Sequence, residues 1–198
     1  MFSKHSIDIK TESQSHVGQL VIASGNPSSR LMLIGEAPGA KEEEIGFPFV
    51  GRSGMLLRSL LTSCSFDPNF DMYITNLVKS RPPKNRTPTK EEVSLQLPWL
   101  YQQIKVVDPI IIVLIGSSAL HIILGKKFKI SKTRGSWHNW NGIFVTPIYH
   151  PSYLLRNPSR LPGRPYDLTC LDLYEVKKKF SELVYISKKS ATYIPIIE

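Results

Sequence analysis

A chain of 198 residues with 41% hydrophobic content is long enough to bury a core in one domain, here taken as 1–198, and it has the composition of a globular protein. The longest apolar stretch, IIIVLIG at 110–116, is strand-sized, so no membrane span is expected, and the opening MFSKHSIDIK lacks the apolar segment of a secretory signal, which points to the cytoplasm. A formal charge of +9 suggests a polyanionic partner.

In chain order, short apolar runs predict strands at 19–24, 30–35, 71–76, 110–116 and 142–149. Helical patterns lie between several of them. Segment 54–64 sets Leu56, Leu57, Leu60 and Leu61 on one face. The next helix starts after Thr89, which has Glu92 at capping-box spacing. Segment 117–124 follows a strand and a glycine, and 167–186 reads as a long closing helix. The tail 187–198 is expected to be an extended arm or partly disordered, which leaves a core of about 17–182. Continuous hydrophobic strands alternating with helices predict an α/β fold with a parallel sheet covered on both faces.

Charge is distributed unevenly. Segments 79–90 and 126–134 each carry five Lys or Arg and no acid, and both read as loops. They are either solvated surface or, on one small domain, a phosphate-binding surface. The two cysteines, Cys64 and Cys170, are far apart and form no CxxC pair.

Ligands in such folds bind outside the carboxyl ends of the strands. The strand ends here are Gly35-Glu36-Ala37-Pro38-Gly39, Thr75-Asn76, Gly116-Ser117-Ser118 and His150-Pro151-Ser152. A Glu, an Asn and a His on one rim would make a polar site suited to a small planar ligand.

Four ordered motifs, GEAPG, FPFVGRSG (47–54), ITNLVKSRPPKNR (74–86) and HPSYLLR (150–156), resemble the uracil-DNA glycosylase superfamily, most closely its family 4. The resemblance implies a three-layer α/β/α sandwich on a short central parallel sheet, and a monomer that hydrolyses the N-glycosidic bond of uracil in single- or double-stranded DNA. It casts His150 as donor to uracil O2, Asn76 as reader of the base edge, and Phe49 as the stacking aromatic. Glu36 would position water or stabilise the cationic sugar, next to Ala37 where the best-studied branch has aspartate. Glu42 would lie near the C5 edge. Arg52, Ser53, Arg81, Ser117, Ser152 and Arg156 are candidates for contacts to DNA. Leu154 or Leu155 would be the wedge that fills the flipped nucleotide's place, unless they are simply packed helix residues.

The chain departs from family 4 in one respect. That family binds a [4Fe-4S] cluster through four cysteines, and here Ser80 and Gln96 occupy two of those places, with no cysteine near the N-terminus. No cluster, metal or other cofactor is expected, nor a covalent trap. The alternatives to a glycosylase are a DNA-binding module with a weak or lost activity, and a glycosylase of altered base specificity.

Overall fold

The computed structural model describes residues 18–192, with side chains described to residue 186. Six strands form one sheet: β1 (Ser24–Gly25), β2 (Leu31–Gly35), β3 (Tyr73–Asn76), β4 (Ile111–Ile115), β5 (His138–Trp140) and β6 (Ile143–Ile148), in the order β1-β3-β2-β4-β6-β5. The four central strands are parallel, and the two edge strands run antiparallel to their neighbours. The expectation of a parallel sheet therefore holds for the centre and not for the edges.

The helices are α1 (Ala40–Ile45), α2 (Arg52–Ser63), α3 (Lys90–Val107), α4 (Ser117–Ile123), α5 (Ile130–Thr133), α6 (Pro151–Arg156) and α7 (Pro165–Thr192). Alternation along the strands explains the three layers. Leu31, Leu33, Ile111 and Val113 point to a core shared with Leu57, Leu60 and Leu61 of α2, Leu154 of α6, and Leu173 and Val176 of α7. Met32, Ile34, Ile112 and Leu114 point to the opposite core, with Leu100 and Ile104 of α3 and Ala119 and Ile123 of α4. All five residues of β2 and of β4 are buried, as central parallel strands covered on both faces must be.

Two expectations change and one holds. Segment 19–24 enters the ladder only at Ser24, because its groups bond elsewhere: Val21 N–H donates to the Lys79 carbonyl, and the Ile22 carbonyl accepts from the side chains of Thr75 and Gln103. Part of the tail expected to be extended is helical, since α7 continues to Thr192; 193–198 and residue 17 lie outside the described residues. Thr89 does cap α3, accepting from Glu92 N–H while the Glu92 carboxylate accepts from Thr89 N–H. Among the described residues no helix is long and apolar enough to cross a membrane.

Strands β2 and β4 are neighbours whose following helices go to opposite faces, α2 to one and α4 to the other. That divergence opens a crevice at their carboxyl ends.

Candidate active site

A cavity of about 630 Å³ occupies this crevice, within the usual range for a small-molecule site. Each strand end contributes to its lining: Glu36 and Ala37 after β2, Asn76 closing β3, Ser117 after β4, and His150 and Ser152 after β6. Glu42 of α1, Phe49 of the loop before α2 and Ser53 of α2 add a wall, and Arg156 of α6 another.

Register places Asn76 directly beside Gly35. A Cβ built on Gly35 would lie 2.4 Å from Asn76 Oδ1 and 2.6 Å from Phe49 Cζ, so the amide and the ring both rest against that glycine. Asn76 is 2% exposed, and its Oδ1 is buried with no hydrogen-bond partner among the described residues. A buried acceptor left without a partner is costly to a fold.

Phe49 is buried in a left-handed backbone conformation, φ 56°, uncommon for a non-glycine residue. Arg58 Nε donates to its carbonyl at 3.1 Å, and Gly54 of α2 leaves room for its backbone. The Glu42 carboxylate pins the same loop from the other side. It accepts from the backbone N–H of Gly39 (3.2 Å), Val50 (3.0 Å) and Gly51 (2.7 Å). Both Glu42 oxygens are thus committed to backbone, joining the GEAPG turn to the Phe49 loop.

His150 caps α6. Its Nδ1 accepts from Ser152 N–H at 3.2 Å and lies 2.8 Å from Ser152 Oγ. Burial, reinforced by the charge of Arg156, pushes its pKa down to about 4. The ring is therefore neutral at physiological pH, and since Nδ1 accepts, Nε2 carries the proton and is a donor. Its centroid is 6.4 Å from that of Phe49. Across the crevice, Glu36 Oε2 accepts a short hydrogen bond from Ser118 Oγ of α4. The neighbouring serine, Ser118, thus engages Glu36, a contact the sequence reading missed because adjacent serines carry no signal of orientation.

The remaining sequence candidates divide. Leu154 is 1% exposed and packs in the α2/α7 core, so it cannot be an exposed wedge: the turn of α6 directs it inward. Leu155 is half-buried and does not line the cavity; Tyr153, 38% exposed, does, with its ring 5.0 Å from that of Tyr149. Arg52 is exposed outside the cavity lining. Arg81 is tied to Glu43 (3.1 Å) and Asn85 (2.7 Å), and Arg86 of the same loop makes two 2.7 Å bonds to Glu92. Both basic segments nonetheless border the cavity, through Asn85 and Arg86 on one side and, on the other, Ile130 and Ser131, which the structure places in the short helix α5 and not in the loop expected there.

The two cluster positions hold no thiolate. Gln96 Nε2 donates to Ser80 Oγ at 2.7 Å, and Gln96 Oε1 accepts from the N–H groups of Lys79 (2.6 Å) and Ser80 (3.3 Å). These side chains are committed to each other and do not fit an iron–sulfur cluster. Cys64 and Cys170 lie together elsewhere, between α2 and α7, with Cys64 Sγ 3.7 Å from the Cys170 carbonyl and burial pushing both thiols up.

Comparison with known proteins agrees with this geometry. The profile of the Uracil DNA glycosylase superfamily matches residues 22–173. The chain is 46% identical over 142 residues to the type-4 uracil-DNA glycosylase of Thermotoga maritima, covering 71% of this chain and 73% of that protein. It is 40% identical over 146 residues to the type-4 enzyme of Saccharolobus solfataricus (70% and 68%) and 34% identical over 168 residues to the type-5 enzyme of Pyrobaculum aerophilum (76% and 73%). With its sheet, its crevice and a profile match over most of its length, the chain belongs to the uracil DNA glycosylase superfamily.

Proposed function

We propose that the protein is a monofunctional uracil-DNA glycosylase of base excision repair, acting as a monomer on uracil extruded from single- or double-stranded DNA, without a metal or other cofactor. The observation that carries this reading is the cavity lined together by Asn76, whose buried Oδ1 has no partner among the described residues, neutral His150 and Phe49. Uracil offers a donor at N3 where cytosine offers an acceptor, so a fixed amide oxygen there accepts one base and repels the other.

The chemistry follows from charge. Breaking the N1–C1′ bond leaves negative charge on the base, much of it at O2, and a cationic sugar that water captures. Nε2–H of neutral His150 donates to O2 as that charge grows, and needs no proton transfer to do so. Phe49 stacks on the extruded base, a contact worth about 1–3 kcal/mol. The Glu36 carboxylate, oriented by Ser118, faces the cationic sugar and its water. Glu42 acts by holding the Phe49 loop. The two basic segments, with Ser53, Ser117 and Arg156, meet the phosphates, and the exposed ring of Tyr153 fills the gap left in the stack.

The test is Asn76→Asp, assayed on oligonucleotides carrying one uracil or one cytosine at the same place. Uracil excision should fall at least 100-fold, with any gain appearing on cytosine. Undiminished uracil excision would remove Asn76 from the base-reading role.

A further inference from the structure

Lys79 is the largest fully buried side chain type in the core that no step above uses, with 0% exposure. Its ammonium meets three acceptors: the Asn76 carbonyl at 2.6 Å, Thr75 Oγ1 at 2.7 Å and Gln103 Oε1 at 2.5 Å. Three protons thus find three oxygens, none of them a carboxylate. Thr75 Oγ1 donates its own hydrogen bond to the Ile22 carbonyl at 2.7 Å. Gln103 Nε2 is spent on that same carbonyl and on the Tyr73 hydroxyl, at 3.2 and 3.1 Å. At the backbone, Lys79 N–H is held by Gln96 and its carbonyl by Val21 N–H. Every polar atom of the residue is therefore fixed, from β3, from α3 and from the segment before β1.

A buried cation with neutral partners is an expensive way to stabilise a fold; burial pushes its pKa down to about 7. An apolar side chain would fill the space at lower cost, so the ammonium calls for another reason. The clearest one is adjacency: it grips the peptide of Asn76, a residue that lines the cavity and whose side-chain oxygen is buried without a partner among the described residues. A buried amide that selects a base must hold its orientation against rotation, and its own backbone is the part that can be clamped from outside the cavity.

We propose that Lys79 is a positioning residue for base recognition, clamping the Asn76 peptide from behind the sheet so that the Asn76 amide is pre-set for uracil. It touches no substrate, and it does not line the cavity. Gln103 completes the clamp from α3. The inference rests on the uracil-site reading of Asn76 given above.

The test compares wild type, Lys79→Met and, because a buried change can impair folding, Gln103→Leu, whose site is half-buried on α3 and outside the cavity. Two quantities are measured: inhibition by free uracil, and affinity for an abasic-site oligonucleotide, which has no base for Asn76 to read. The clamp predicts free-uracil inhibition weakened at least tenfold in Lys79→Met and about three- to fivefold in Gln103→Leu, with abasic-DNA affinity within twofold of wild type in both. Uracil inhibition within 1.5-fold of wild type in both variants, or abasic-DNA affinity falling in step with it, overturns the clamp. Wild type that excises uracil normally while the variants match it sinks this inference alone. Wild type that neither excises nor binds uracil sinks the functional reading with it.

Discussion

Replacing Gly35 by alanine asks whether the base slot is as tight as its walls indicate. The new Cβ would fall 2.4 Å from Asn76 Oδ1 and 2.6 Å from Phe49 Cζ, short of ordinary contact by about 1 Å on each side. Gly35 has no left-handed φ, so alanine meets no backbone strain and the contact is the whole perturbation. Neither neighbour can yield freely: Asn76 is 2% and Phe49 6% exposed, and Phe49 is fixed through its carbonyl by Arg58. Overpacking of this kind costs about 1–3 kcal/mol in stability. A displacement of about 1 Å in a positioned group costs up to about 100-fold in rate. We expect kcat/KM on a single-uracil oligonucleotide to fall by about 100-fold, with a loss of about 2–12 °C in Tm. Abasic-DNA affinity should stay within twofold. Excision within threefold of wild type would refute the claim that Gly35 sets the spacing of reader and stacking ring.

Three further outcomes follow from other residues. His150 has a folded pKa of about 4 against an ordinary 6.5, so the unfolded chain binds more protons between those values. Stability should therefore fall as pH drops from about 6.5 to 4, by roughly 3 kcal/mol from this group, and His150→Gln should flatten that slope in urea titrations taken at several pH values. Lys79 gives the complementary trend: its folded pKa of about 7 lies below the ordinary 10.5, so its burden is greatest below pH 7 and is relieved as pH rises toward 10.5. Glu42→Ala removes the acceptor for three backbone N–H groups, and should lower Tm and cut excision at least tenfold by freeing the Phe49 loop. A Glu42→Ala enzyme of wild-type activity would dissociate that loop from function.

Much of this site could be read from residue order, because strand ends are marked by where an apolar run stops. Glu36, Asn76 and His150 each follow such a stop, and the central strands then bring them to one rim. The capping box at Thr89 was equally legible, being a local bond at fixed spacing. Edge strand β5 was not: three residues, His138–Trp140, are too few for a period to show, and their pairing is with β6 alone. Leu154 and Leu155 looked alike in sequence. Only the start of α6 at Pro151 decides that Leu154 turns to the core and Tyr153 to the cavity. Lys79 belongs to a basic run that reads as solvated surface or phosphate contact, yet it is the one cation of that run that is buried, because α3 supplies Gln96 and Gln103 to hold it. Contacts made across 15 or more residues decide such cases, and periodicity cannot reveal them.

The most direct test of the central claim is excision from a labelled single-uracil oligonucleotide, single- and double-stranded, with alkali to reveal abasic sites and His150→Ala run beside wild type. The account predicts cleavage at uracil only, from protein purified without bound iron, and a loss of about 100- to 1,000-fold in the variant, the usual cost of removing one preorganised donor. Salt-sensitive DNA binding without cleavage by wild type would contradict it, and would make this fold a DNA-binding module.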